Sequence, residues 1–225
     1  MSKFIKFTER LKKHNPMLIE AIQSGYRALH ESDINNRDIV IVDIQPSYED
    51  GFGFNVYEFT EYLNEHYQDM GRILYLYNGE DLGMESSQDI IYWLLENGLD
   101  EDVISSLDFF EKNYAFFRNA MDHGIDHSSI VKLLKYMTKV DINDSRDLDE
   151  LTWKVFKSNN EDEDEIIEFL QDNDDMINLP ELMEKLEIVT NPIVMGGGRD
   201  ECLAEVLIAM QVLDISYSTF NQFIY

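Results

Sequence analysis

Apolar and polar positions fall in blocks along this chain, and the period of the pattern changes from block to block. In FIKFTERLKK and PMLIEAIQSGYRALH the apolar residues recur every three or four positions. Pro16 suits a first helical turn, so residues 1–32 are expected to form an N-terminal helical extension. The polar stretch Asp33–Arg37 has the composition of a turn. DIVIVDIQ, rich in Val and Ile, then predicts a short strand buried on both faces. A Pro- and Gly-containing loop, QPSYEDGFG, leads into NVYEFTEYLNEHY, where Val56, Phe59, Tyr62 and Leu63 share one helical face. RILYLYN predicts a second buried strand, and SSQDIIYWLLENG a second helix ending at Gly98.

A third strand is expected near Ile104–Phe110, with a helix after it in YAFFRNAMDHG. Late in the chain, EIVTNPIVMGGG predicts a strand running into a glycine turn, DECLAEVLIAMQVL a helix, and SYSTFNQFIY a last strand. This alternation predicts one α/β domain over 1–225, a three-layer α/β/α arrangement around a mostly parallel sheet. It is interrupted over 128–185, which is expected to be an acidic, largely helical insertion. Within it, residues 141–185 carry 16 acidic and 4 basic side chains. There, NNEDEDEIIEFLQDNDD offers only Ile166, Ile167, Phe169 and Leu170 as an apolar stripe.

Composition narrows the classes of function. Of the 225 residues 45 are acidic and 18 basic, a formal net charge of −27. Nucleic acid and anionic membrane surfaces are met by clustered Lys and Arg, so both are disfavoured as partners. An apolar fraction of 44%, with 13 Phe and 12 Tyr, supports a packed core, which a wholly disordered chain lacks. The single cysteine, Cys202, excludes an intramolecular disulfide and any zinc site of several thiolates. A reducing, cytoplasmic compartment is expected. The segment MSKFIKFTERLKKHNP is basic but has no apolar stretch after it, so it does not read as a secretory signal. No apolar run approaches the ~20 residues that cross a bilayer.

Open parallel sheets collect ligands at the carboxyl ends of their strands. Three chemically distinct residues follow predicted strands: Asp43 in VIVDIQ with Gln45 two places on, Lys112 in FFEKNYAFF, and Cys202 after VMGGGRDE. Cysteine attacks carbonyl carbon as the thiolate, which a lysine ammonium and a helix N-terminus both stabilise. Asp43 could take the thiol proton and pass it to a leaving amine. Backbone N–H groups near Glu201 and Cys202 could hold an oxyanion. Gln45, Gly197, Gly198 and Glu201 are therefore the candidate substrate and oxyanion contacts.

In this order, Asp, Lys, Cys resembles the isochorismatase-like cysteine hydrolases, which include the nicotinamidases. The first strand ends in Asp-x-Gln, matched by Asp43 and Gln45. Lys112 precedes Tyr114 and Phe117 in a Tyr-x-x-Phe arrangement, and Gly196 stands six positions before Cys202 in IVMGGGRDECLAEVLIAM. The resemblance implies Asp43 as general acid/base, Lys112 as the cation that stabilises the thiolate and Cys202 as nucleophile. It also implies hydrolysis of a small amide or related carbon–nitrogen bond. Metal-binding members carry Asp and His after the second strand, whereas NGEDLGMESS has no histidine, so no metal and no other cofactor is expected. The segment between Lys112 and Cys202 is longer than in the family. The sequence also stops soon after the last strand, without the usual closing helix, for which a sheet edge or a second copy of the chain is expected to compensate.

Each motif has a plainer account. A lone cysteine packs as a small hydrophobe, an Asp after a strand caps a turn, and Lys112 is of a type found mostly at surfaces. GGGRDE lacks the Gly-Lys-Ser/Thr ending of a phosphate loop, and Asp200 and Glu201 repel phosphate. His123 and His127 lie four apart without the glutamate of a zinc protease. Two other functions fit the pattern. A PIN-like Mg²⁺-dependent nuclease would use Asp43, Glu49, Glu80, Asp81 and Asp108. A catalytically inactive interaction protein on the same scaffold would offer its acidic insertion to a basic protein partner.

Overall fold

The computed structural model describes residues 34–52, 54–79, 84–112, 179–198, 202–213 and 215–225. The chain divides into two compact units, Met1–Gln23 with Tyr114–Lys185 and Ser24–Asn113 with Leu186–Tyr225. Of the first unit only 179–185 is described, so the extension over 1–32 and nearly all of the insertion over 128–185 lie outside the described residues.

The second unit is α/β. Its described strands are β1 (Ile39–Val42), β2 (Ile73–Tyr77), β3 (Leu107–Glu111), β4 (Ile193–Gly196) and β5 (Ser218–Thr219). They form one parallel sheet in the order β3-β2-β1-β4-β5. The central strands are short, continuous apolar runs because they are buried on both sides: all four residues of β1 are 0% exposed. The half-buried β3 lies at one edge. Asp38, just ahead of β1, joins the neighbouring strands at their amino ends. Its carboxylate accepts the N–H of Arg72 and of Thr190, each at 2.8 Å.

Helices α1 (Pro46–Phe52), α2 (Val56–His66), α3 (Ser87–Glu96), α4 (Glu101–Ile104), α5 (Leu179–Glu187) and α6 (Cys202–Val212) complete the described elements, with short 3₁₀ turns at Tyr67–Asp69 and Asn221–Phe223. Asn55 caps α2, and Ser86 and Asp89 close a capping box on α3. Ile39, Ile41, Ile73, Tyr75, Ile193 and Met195 join Val56, Phe59 and Leu63 of α2 and Ile90 and Leu94 of α3 in one core cluster. Helix α6, with Leu203, Val206, Leu207 and Met210 buried, contacts β1. Among the described residues no helix is long and apolar enough to cross a membrane.

Three sequence expectations need correction. QPSYEDGFG is helix α1 from Pro46 onward: Pro46 sits at its first position, and Glu85 accepts the Ser47 N–H at 2.8 Å and hydroxyl at 2.6 Å, capping the helix from a distant loop. The third strand begins at Leu107, because Ile104 ends the helical turn α4. The last strand is only Ser218–Thr219, after which Phe220 and Phe223 pack into the core through the 3₁₀ turn.

Candidate active site

The sheet changes direction between β1 and β4: β2 and β3 extend it on one side and β5 on the other. The crevice outside the carboxyl ends at such a reversal is where open α/β sheets bind ligands. Asp43 leaves β1 there, and the glycine turn leading to Cys202 leaves β4 there.

Asp43 is 0% exposed and has φ 47°, in the left-handed region. That region costs a residue with a side chain roughly 1–2 kcal/mol, although Asp visits it more readily than most. Its N–H still donates to Leu76 O at 2.9 Å, so the ladder runs to Asp43 and the chain turns out of it at that residue. Lys112 follows β3, donates its N–H to Tyr77 O, and is 1% exposed. Its ammonium reaches Asp43 Oδ2 at 2.8 Å and Asn78 Oδ1 at 2.6 Å. Burial works against this charge, but Asp43, the Cys202 sulfur and Glu205 outweigh it and raise the Lys112 pKa above 10.5.

Cys202 opens helix α6. Its thiol pKa is pushed well above 9.0, first by burial and then by the Asp43 charge, with Lys112 pulling the other way. Oδ1 of the carboxylate has no hydrogen-bond partner among the described residues, while the thiol feels the carboxylate as an acceptor for its proton. At neutral pH the thiol therefore keeps its proton, in the field of the Asp43 carboxylate. The structure thus brings together the acid, the cation and the sulfur that lie far apart in sequence.

Gln45 is buried and occupied by its neighbours. Its amide accepts the Asn78 N–H at 3.0 Å, donates to Asn78 O at 3.0 Å and donates to Glu85 Oε2 at 2.8 Å. Gly197, with φ 76°, accepts the Tyr225 N–H through its carbonyl, and Gly198 accepts that of Leu203. Gly196 carries φ 82°, and a Cβ there would strike the Val42 carbonyl and the Ile44 side chain, so the turn is open only to glycine. Glu201, Tyr114 and Phe117 lie outside the described residues.

The sequence reading did not single out three members of this cluster. Asn78 bridges Lys112, the Asp43 carboxylate (Nδ2 to Oδ2, 3.3 Å) and the Tyr48 hydroxyl (2.8 Å). It follows β2 directly, so the strand-end rule that selected Asp43 and Lys112 points to it too. Glu205 is buried one helical turn after Cys202 and acts on both Cys202 and Lys112. A single charge inside LAEVLIAM is its signal. Tyr225, which donates its hydroxyl to Asp43 O at 2.6 Å and stacks on Phe54 at 5.3 Å, has no local signal.

For the nuclease pattern, Glu80 and Asp81 lie outside the described residues, and Glu49 accepts the Trp93 indole N–H at 3.2 Å. Among the described residues no three His, Cys, Asp or Glu side chains are grouped to hold a metal ion. No protein-family model, curated protein or solved structure matches this chain.

Proposed function

We propose that this protein is a cysteine hydrolase of the isochorismatase-like kind, with its three-layer α/β/α fold, cleaving a small amide or related carbon–nitrogen bond. One observation carries the proposal: a buried Asp43–Lys112 pair stands beside the Cys202 thiol at the reversal point of a parallel sheet. In the first step Cys202 Sγ bonds to the carbonyl carbon as its proton passes to Asp43, and the developing negative charge is met by the Lys112 ammonium. The tetrahedral adduct collapses by breaking the C–N bond, and Asp43 returns the proton to the departing amine, leaving a thioester. Water, losing a proton to Asp43, then adds to the thioester carbonyl. The C–S bond breaks, the acid is released, and Asp43 reprotonates the sulfur. Asn78 holds both the acid and the cation, and Gln45 holds the Asn78 backbone, rather than reacting.

A thiol held protonated is compatible with this cycle because the proton moves only as the C–S bond forms. Cys202 is half-buried, and the desolvation that holds its thiol protonated is what favours the second reading, an inactive scaffold that binds partners. Iodoacetamide separates the two. Modification of native protein at Cys202, together with ammonia release from a panel of small primary amides that Cys202→Ala abolishes without loss of fold, supports the hydrolase. A thiol that reacts only after denaturation, with no amide cleaved, overturns it.

A further inference from the structure

Asp43, Ile44 and Gln45 leave the sheet with 0% of their surface exposed. Their carbonyls cannot reach water, so each needs a donor from the protein. The Tyr225 hydroxyl donates to Asp43 O at 2.6 Å, the Tyr75 hydroxyl to Ile44 O, and the Tyr48 N–H to Gln45 O at 3.0 Å. Tyr75 belongs to β2 and is core. Tyr225 comes from 182 residues away, and its own N–H donates to Gly197 O at 3.2 Å. A single residue thus grips both loops of the site, the one that bears Asp43 and the one that leads to Cys202. The carbonyl it holds belongs to a residue in the left-handed region, a conformation that persists only where its surroundings over-determine it.

We propose that Tyr225 is a positioning residue: its hydroxyl fixes the left-handed backbone of Asp43, and its N–H fixes the glycine turn, so that carboxylate and thiol face each other. The catalytic consequence rests on the hydrolase reading; the positioning itself does not. Stacking on Phe54, at 5.3 Å and 19°, together with Tyr48 at 6.5 Å, seats the ring without help from the hydroxyl. Tyr225→Phe therefore removes the donor and leaves the packing.

The test reads the pH at which iodoacetamide modifies Cys202 at half its maximal rate, with no substrate present. Among the described residues, the charged groups facing that thiol are Asp43, Lys112 and Glu205. Asp43→Asn removes a carboxylate that holds the thiol pKa up, so the midpoint falls. Tyr225→Phe is expected to lower it too, by a smaller amount, because the carboxylate is less well aimed. Phe54→Leu, which loosens the same corner but keeps the hydroxyl, is expected to leave it in place. With an amide substrate in hand, Tyr225→Phe lowers kcat about ten- to a hundredfold with little change in KM. A midpoint moved by Asp43→Asn but not by Tyr225→Phe overturns the proposal and leaves the site reading standing. A midpoint moved by neither overturns both. Equal shifts in Tyr225→Phe and Phe54→Leu assign the effect to packing and also overturn it. Should the variant not fold, the wild type decides through ζ-13C-tyrosine spectra. The Tyr225 hydroxyl proton is expected to exchange far more slowly than that of exposed Tyr57, and equal rates would remove the clamp.

Discussion

Lys112 and Asp43 form an ion pair taken wholly out of water, and such a pair is held less by its own attraction than by the cost of breaking it. Lys112→Met leaves a buried carboxylate whose main cation is gone, and is expected to cost about 3–5 kcal/mol in urea titrations at neutral pH. Adding Asp43→Asn removes the stranded charge and is expected to recover most of that loss; no recovery would place the damage in packing. A second prediction concerns alkali. The folded pKa values of Cys202, Tyr75, Tyr225 and Lys112 lie above their ordinary values of 9.0, 10.0, 10.0 and 10.5, because of burial and the Asp43 carboxylate for the first three, and for Lys112 because its anionic neighbours outweigh burial. Between its unfolded and folded pKa each group binds more protons folded than unfolded, so stability falls as pH rises through that interval. The contribution is complete below the unfolded value and begins to fade above pH 9.0, first through Cys202. Urea midpoints measured on either side of that pH should decline with alkalinity, and Cys202→Ala should delay the onset. A midpoint that holds constant far into alkali would contradict the burial of these groups.

At the level of elements, legibility follows how local the deciding interaction is. β1, β2 and β4 stood out as four- and five-residue apolar runs, and α2 and α3 carried their own caps in Asn55 and Ser86. Helix α1 did not, because its cap, Glu85, is supplied from 38 residues away. Among site residues, Asp43, Lys112 and Cys202 could be found by position and chemistry together. Asn78 meets the positional rule, but an amide does not announce a role, and Tyr225 depends on a contact between distant parts of the chain. The turn after β4 is legible in its glycines, and it supports a prediction about them. At Gly98, φ 93°, an added Cβ would meet Thr60 Oγ1 at 4.0 Å, an ordinary van der Waals contact. Gly98→Ala is expected to cost only the left-handed penalty of roughly 1–2 kcal/mol. Gly196→Ala adds collision with the Val42 carbonyl and Ile44, and should cost at least about twice as much by thermal or urea unfolding. Similar losses for the two would mean that β4 does not approach β1 as closely as the turn requires.

At the scale of the whole molecule, the net charge of −27 and the site speak with the same sign. Among the described residues, Asp43 and Glu205 contribute two carboxylates around the Cys202 thiol against the Lys112 ammonium. An anion approaching the sulfur meets the long-range field of the chain first and this local excess afterwards, whereas a neutral amide meets neither. The two contributions separate by ionic strength, because the screening length shrinks from about 8 Å at 0.15 M salt to about 3 Å at 1 M, while groups buried together are screened far less. Iodoacetamide and iodoacetate probe this directly, since they deliver nearly the same group and differ in charge. At low salt the preference of Cys202 for the neutral reagent is expected to exceed that of free cysteine by about tenfold or more. Concentrated salt should reduce the preference, but only in part: the fraction that survives belongs to Asp43 and Glu205, and Glu205→Gln should lower it further. A preference no greater than that of free cysteine at any ionic strength would show that neither field reaches the sulfur, and the bias against an anionic substrate would fall with it.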